Sequence, residues 1–62
     1  MNPDEVMNAQ TKEEARQYAI DWQAWSSQTS MSWQDISEWQ GIFTILAIHF
    51  NLLAEFEDNG II

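Results

Sequence analysis

The chain has 62 residues, with ten acidic and two basic side chains, no cysteine, and a formal net charge of −8 at pH 7. A chain this short forms one domain at most and is marginally stable by itself. Because it has no cysteine, disulfides and thiolate metal sites are excluded as sources of extra stability. Its only bases, Lys12 and Arg16, are too few for direct binding of nucleic acid or of an anionic membrane surface. A partner with a basic surface would instead be attracted.

Residues 1–10 are polar and weakly patterned. Asn2 and Pro3 make a fair helix start, because Asn can cap a helix and Pro is favoured at its first position. Only Val6 and Met7 follow as apolar residues. We therefore expect an N-terminal arm that is flexible or forms one helical turn, followed by a single helical domain over residues 11–62.

A capping box at Thr11 and Glu14 opens the first predicted helix, since the Thr11 hydroxyl can accept from the Glu14 amide and the carboxylate can reach back. One helix face then recurs at helical spacing and comprises Ala15, Tyr18, Ala19, Trp22 and either Trp25 or Ser26. The pattern predicts a helix over 12–27. The polar segment 26–32 ends it, and a connection this short favours an antiparallel hairpin with the next helix.

Ser32 and Asp35 approximate a second capping box and open the longest predicted helix, over 33–49. Its first apolar row recurs every three or four residues and comprises Ile36, Trp39, Phe43, Leu46, Phe50 and Leu53. A second row along the other side comprises Ile42, Ile45, Ile48, Leu52 and Phe56. One helix partner can cover only the first row. We therefore expect the second row to mediate self-association into a homodimeric helical bundle.

Periodicity leaves open whether this helix continues beyond Asn51. Asn can cap a new turn, so we favour a break there and a short third helix over 52–58. Asn59 and Gly60 can adopt the left-handed conformation that stops a helix, with Ile61 placed for an apolar contact back. The predicted fold class is all-α: an antiparallel helical hairpin with a short third helix.

No motif predicts catalysis, a metal site or a cofactor. His49 is the only histidine and lacks companions at ligand or triad spacing, so we interpret it as a residue at the edge of a core or interface. Gly41 lies mid-helix, where glycine costs roughly 0.8–1 kcal/mol relative to alanine, and either close approach of another helix or chance explains it. The uncharged stretch 41–54 has about 14 residues, against roughly 20 for a membrane span.

Two tryptophans, Trp25 and Trp33, lie off the centres of the apolar faces. An exposed tryptophan can anchor an interface, although packing at the flank of the core is the alternative. Nearby acids, Asp21 and Asp35, would steer a basic partner. These four residues form the candidate partner-binding site.

The last predicted helix ends in three acids, Glu55, Glu57 and Asp58. Carboxylates in the last turn oppose the negative end of the helix dipole, and no lysine lies nearby in the sequence to relieve them. They form either a solvated tip or an acidic site for a basic partner.

Three runs resemble small uncharacterised proteins encoded by phages and prophages of Gram-positive bacteria: TKEEARQYAIDW (11–22), SWQDISEWQ (32–40) and EFEDNGII (55–62). Such proteins are expected to carry more charge in the region that corresponds to 41–51, which is almost wholly apolar here. The resemblance implies a protein of phage origin in the cytoplasm of a bacterial host, and it supplies no catalytic residues.

The leading hypothesis is a small, acidic, non-enzymatic protein-interaction module, encoded by a phage, that modulates a basic host protein. The alternative is an acidic nucleic-acid mimic that blocks a DNA-binding protein or a nuclease. Ten acids scattered over two helices imitate phosphates only weakly. Salt dependence separates the two hypotheses, because a mimic should lose its partner steeply as salt rises, whereas an apolar interface should hardly respond.

Overall fold

A computed structural model describes residues 1–62 and is all-α, with 73% of the residues in helices and no strands. The four helices are α1 (Pro3–Met7), α2 (Lys12–Ser27), α3 (Trp33–Phe50) and α4 (Leu53–Asp58). The all-α prediction is confirmed. The bounds of α2, α3 and α4 lie within one residue of those predicted from capping and periodicity.

Side-chain caps define where α2 and α3 begin. The Glu14 amide donates to Thr11 Oγ1 at 3.1 Å, whereas the Glu14 carboxylate accepts from the Gln10 amide at 3.3 Å rather than from that of Thr11. At α3 the box is reciprocal: the Asp35 amide donates to Ser32 Oγ at 3.2 Å and the Ser32 amide to Asp35 Oδ2 at 3.3 Å. Both caps satisfy amides that the first helical turn would otherwise leave unpaired.

Of the two states expected for the N-terminal arm, the structure has the helical turn. Asn2 Oδ1 accepts from the Asp4 amide at 2.9 Å, and Pro3 occupies the first helical position. Val6 is fully buried in the core cluster, and α1 packs against α3. One buried apolar side chain therefore ties the arm to the rest of the chain.

The third helix ends at a left-handed residue, Asn51 (φ 59°, ψ 46°). The Leu52 amide donates to the Ala47 carbonyl at 2.8 Å, which is the hydrogen bond of a Schellman-type helix end. The expectation that Asn51 caps the next helix was wrong. Leu52 occupies the N-cap of α4 without a side-chain hydrogen bond, and Asn51 instead terminates α3.

The core is built around Phe43. Its ring centroid lies 5.5 Å from that of Trp22, 6.0 Å from that of Trp39 and 6.0 Å from that of Phe56. Trp39 and Phe43 are buried against Trp22 of α2, as the first apolar row predicts, and Tyr18 is half-buried against the same cluster. Eleven residues are buried: Val6, Ala15, Ala19, Trp22, Trp39, Phe43, Leu46, Ala47, Leu52, Phe56 and Ile61.

The second apolar row does not form one continuous surface in the structure. Leu52 and Phe56 are buried in the core of the single chain, so their assignment to self-association was wrong. The physical reason is the turn at Asn51, which redirects the backbone and brings these two side chains inward. Ile42 is half-buried against the core, whereas Ile45 and Ile48 stay 54% and 69% exposed. The row is therefore reduced to two exposed isoleucines.

The last residues of the chain fold back on α4. Gly60 is left-handed (φ 74°), and the Ile61 amide donates to the Phe56 carbonyl at 2.8 Å. Ile61 is buried in the core, as expected from a glycine stop followed by an apolar residue.

Replacement of Phe43 by alanine should abolish cooperative unfolding. Truncating a fully buried aromatic side chain costs about 3–5 kcal/mol, which is most of what a domain of this size holds. Thermal unfolding followed by circular dichroism measures the effect. Ile20→Ala is the matched control, because it truncates a side chain that is 52% exposed and lies outside both the core and the second apolar row of α3, so it should unfold close to the wild type. A melting temperature of Phe43→Ala within a few degrees of the wild type would contradict the core assignment.

Candidate interaction surfaces

No group of three or more His, Cys, Asp or Glu side chains lies close enough together to hold a metal ion. His49 is exposed in the last turn of α3, where its ring packs edge-on against Phe50 with 4.6 Å between centroids. A lone imidazole beside an aromatic ring has no base, nucleophile or second ligand to act with.

An uncharged strip runs along the side of α3 that faces away from the core. We call it the outer face of α3 and define it as Ser37, Gly41, Ile45 and Ile48. At 3.6 residues per turn these four share one side of the helix, opposite Trp39 and Phe43. No Asp, Glu, Lys or Arg occurs from Trp39 to the end of α3. The outer face therefore offers apolar area to a partner without a charge to desolvate.

The two candidate tryptophans have different surroundings. Trp33, in the first turn of α3, is 84% exposed. Trp25 is half-buried at the flank of the core, with its ring 6.0 Å from that of Trp39 in an edge-on contact. Trp33 is thus available as an anchor, whereas Trp25 is engaged in packing within the chain.

The two candidate acids have local partners. Asp35 shares the first turn of α3 with Trp33 but belongs to the capping box. Asp21 accepts a hydrogen bond from Gln17 Nε2 at 3.0 Å on α2. The structure therefore groups the predicted site residues by helix: Trp33 with Asp35 on α3, and Trp25 with Asp21 one turn apart on α2.

A shallow depression of about 120 Å³ on α2 is lined by Glu14, Gln17, Tyr18 and Asp21. The half-buried Tyr18 is aromatic, and Glu14 and Asp21 lie one turn before and one turn after it along the helix. Such a combination suits a lysine or arginine side chain of a partner. Of the four candidate partner-binding residues, only Asp21 lines this depression.

An ion pair between α2 and α4 was not predicted from the sequence. Arg16 Nε donates to Glu55 Oε2 at 2.7 Å and Arg16 Nη2 to Glu55 Oε1 at 3.1 Å, so the guanidinium meets the carboxylate as a fork. Arg16 Nη1 also donates to Glu13 Oε1 at 3.0 Å. The spacing of Glu13 and Arg16 is a readable helical pair, but nothing local connects residues 39 positions apart.

The fork revises the interpretation of the C-terminal acids. Glu55 lies in the first turn of α4, where a carboxylate suits the helix dipole, and Arg16 neutralises it. The expectation that Glu55 belongs to an unrelieved acidic tip was therefore wrong. Glu57 and Asp58 are exposed. The hydrogen bonds from Arg16 hold the pKa of Glu55 below its ordinary value of 4.5, and those to Glu55 and then Glu13 raise the pKa of Arg16.

A groove of about 260 Å³ follows the seam between α2 and α4. The fork lies at this groove, and Gln23 Nε2 donates to the Asn59 carbonyl at 2.7 Å. Between these polar contacts the lining includes the buried side chains of Ala19, Phe56 and Ile61. These polar contacts connect α4 to α2, so the groove lies at the contact that holds the short helix in place.

None of the helices is both long enough and apolar enough to cross a lipid bilayer. No protein-family model, curated protein or solved structure matches the chain.

Glu55→Gln should destabilise the protein at neutral pH and lose that effect in acid. Because the folded-state pKa of Glu55 lies below its ordinary value, the ion pair contributes stability above about pH 4.5 and loses it as pH falls through the lowered pKa. The melting temperatures of wild type and variant, measured from neutral pH to pH 3, should therefore converge on acidification. Glu57→Gln is the control, since Glu57 is exposed and forms no ion pair in the structure. A gap that stays constant down to pH 3 would show that ionisation of Glu55 contributes nothing.

Proposed function

We propose that this protein is a non-enzymatic, acidic protein-interaction module that associates with itself through the outer face of α3. The observation that supports it is the exposure of Ile45 and Ile48 side by side on an uncharged helix face. In this proposal α2 and α3 form an antiparallel hairpin, and two copies pack their α3 helices together as a helical bundle.

Burial of the outer face has a favourable free energy of roughly 25 cal/mol for each Å² of apolar area removed from water. The opposing term is the repulsion between two chains of net charge −8. Contact through the outer face keeps this repulsion low, because the stretch of α3 from Trp39 to Phe50 brings no carboxylate into the contact. Association should consequently strengthen as added salt screens the remaining charges.

Light scattering at tens of micromolar should report a dimer, and Ile45→Glu should convert it to a helical monomer. A buried, unpaired carboxylate is costly in an interface, whereas Ile45 is exposed in the single chain and its replacement leaves the core intact. Circular dichroism checks that the helices persist. The matched control is Ile20→Glu on α2, since Ile20 is 52% exposed but lies outside the outer face. A monomeric wild type, or equal dissociation by both variants, would contradict the proposal.

We propose further that the module acts on a basic protein of a bacterial host, in the cytoplasm, as a phage-encoded modulator. The strongly acidic charge of the chain supports this proposal. Arg16 is paired with Glu13 and Glu55, so Lys12 is the only lysine or arginine outside an ion pair. The resemblance of three sequence runs to phage and prophage proteins supports the cellular setting. Trp33 provides an exposed aromatic anchor, and the acidic depression beside Asp21 suits a basic side chain of the partner.

Trp33→Ala should weaken capture of a host protein from bacterial lysate while helicity and dimerisation stay unchanged. Asp21→Asn should chiefly slow association, and less so at high salt, because a rim carboxylate acts mainly by steering. Asp35→Asn is unsuitable, since Asp35 also caps α3. Binding measured against salt with the purified partner distinguishes an anchored interface from a nucleic-acid mimic, which weakens steeply. Capture of the same protein at wild-type strength by Trp33→Ala would remove Trp33 from the site.

A further inference from the structure

We propose that the second copy lies antiparallel on the outer face of α3, so that the two α3 helices cross at Gly41. This inference rests on the proposed self-association and adds the arrangement of the two helices and the residues that meet. The second copy is the occupant because the outer face carries no charge that would attract a basic partner, and because its small and large side chains are complementary to themselves about Gly41.

The outer face has a small side chain before Gly41 and large side chains after it. Ser37 lies four residues before Gly41 and Ile45 four residues after it, so the three form one i, i+4 ridge. When two such helices run antiparallel and cross at Gly41, each Ile45 meets Ser37 of the second copy, large against small on both sides. Parallel helices would place Ile45 against Ile45 and leave Ser37 against Ser37. The antiparallel arrangement therefore fills space more evenly, and it also satisfies the two-fold symmetry of an isologous dimer.

Gly41 has no role within the single chain that requires glycine. A Cβ atom added there would meet nothing within 4 Å, and the backbone has ordinary helical geometry. Alanine would be the better helix former at this position. Contact with a neighbouring helix explains the glycine, because the absence of a side chain at the crossing allows two backbones to approach closely.

Charge selects a second copy over a basic partner at this face. A basic protein would find no carboxylate among the four outer-face residues and only Glu38 at their edge. In the antiparallel arrangement the two Glu38 carboxylates lie on opposite sides of the crossing, whereas parallel helices would bring them level and repel. At 3.6 residues per turn, Trp33 points to the side of α3 beyond the four outer-face residues, so it stays at the edge of the contact.

The first test substitutes the crossing residue. Gly41→Ala should raise the unfolding temperature of the dilute monomer by about 4 to 8 °C, because alanine favours the helix. The same variant should weaken dimerisation by about tenfold or more, because added methyl groups collide at the crossing. Gln40→Ala is the control, since Gln40 is exposed on α3 but lies off the outer face, and it should dimerise like the wild type. Wild-type dimerisation by Gly41→Ala would overturn the crossing.

The second test uses introduced thiols, which are unambiguous because the chain has no cysteine. Ser37→Cys and Ile45→Cys place the thiols at the two positions that the antiparallel crossing at Gly41 pairs across the dimer, and both variants keep Ile48. Oxidation of an equimolar mixture should yield mainly the mixed disulfide, well above the half expected from random pairing, as mass spectrometry can measure. Predominant self-linked disulfides would show parallel helices and overturn this arrangement alone. A wild-type monomer in light scattering would remove the proposed self-association as well.

Discussion

The whole fold depends on one backbone conformation, the left-handed Asn51 between α3 and α4. A straight continuation of α3 would carry Leu52 and Phe56 away from the molecule along the far side of the helix. The reversal instead places Phe56 edge-on against Phe43 and buries Leu52 beside the end of α3. Asn tolerates this conformation better than most residues, because its short polar side chain can bond locally. The small core can stabilise the fold only because the chain reverses at Asn51 and packs Leu52 and Phe56 against it.

The short helix α4 needs more than that turn, since six residues are too few to be helical alone. Apolar burial of Phe56 and Ile61 holds its inner side, and the fork from Arg16 to Glu55 and the bond from Gln23 to the Asn59 carbonyl hold it to α2. One buried donor, the indole N–H of Trp22, has no hydrogen-bond acceptor among the surrounding rings. Packing of aromatic rings thus outweighs that unpaired donor.

Much of the fold could be predicted from the sequence, because the signals concerned are local. Caps at Thr11 and Ser32 act within four residues, and the row that includes Trp39 and Phe43 repeats at the helical period. The burial of Leu52 and Phe56 was missed because a single dihedral choice at Asn51 decides which way both point. The periodic pattern is the same for a straight helix and for a broken one, so it carried no information about that choice.

The candidate sites were less predictable for the same physical reason. In sequence, Trp25 lies at the edge of its apolar face and Trp33 lies off the main row of α3, yet only Trp25 has an aromatic neighbour, Trp39, across the contact between α2 and α3. The fork from Arg16 to Glu55 joins residues with no local relation, so only the three-dimensional packing could reveal it. A sequence shows which side chains share one helix face, but exposure depends on what other elements cover.

The positions of the only lysine and the only arginine also determine where a trypsin-like protease can cleave the protein. Lys12 and Arg16 both lie in the first turns of α2, and no other lysine or arginine follows, so a trypsin-like enzyme finds no further cleavage point from residue 17 to the end of the chain. Arg16 is partly covered by its two carboxylate contacts, and cleavage there requires the start of α2 to unwind. The rate of digestion would therefore report local opening of one helix end, separately from global unfolding.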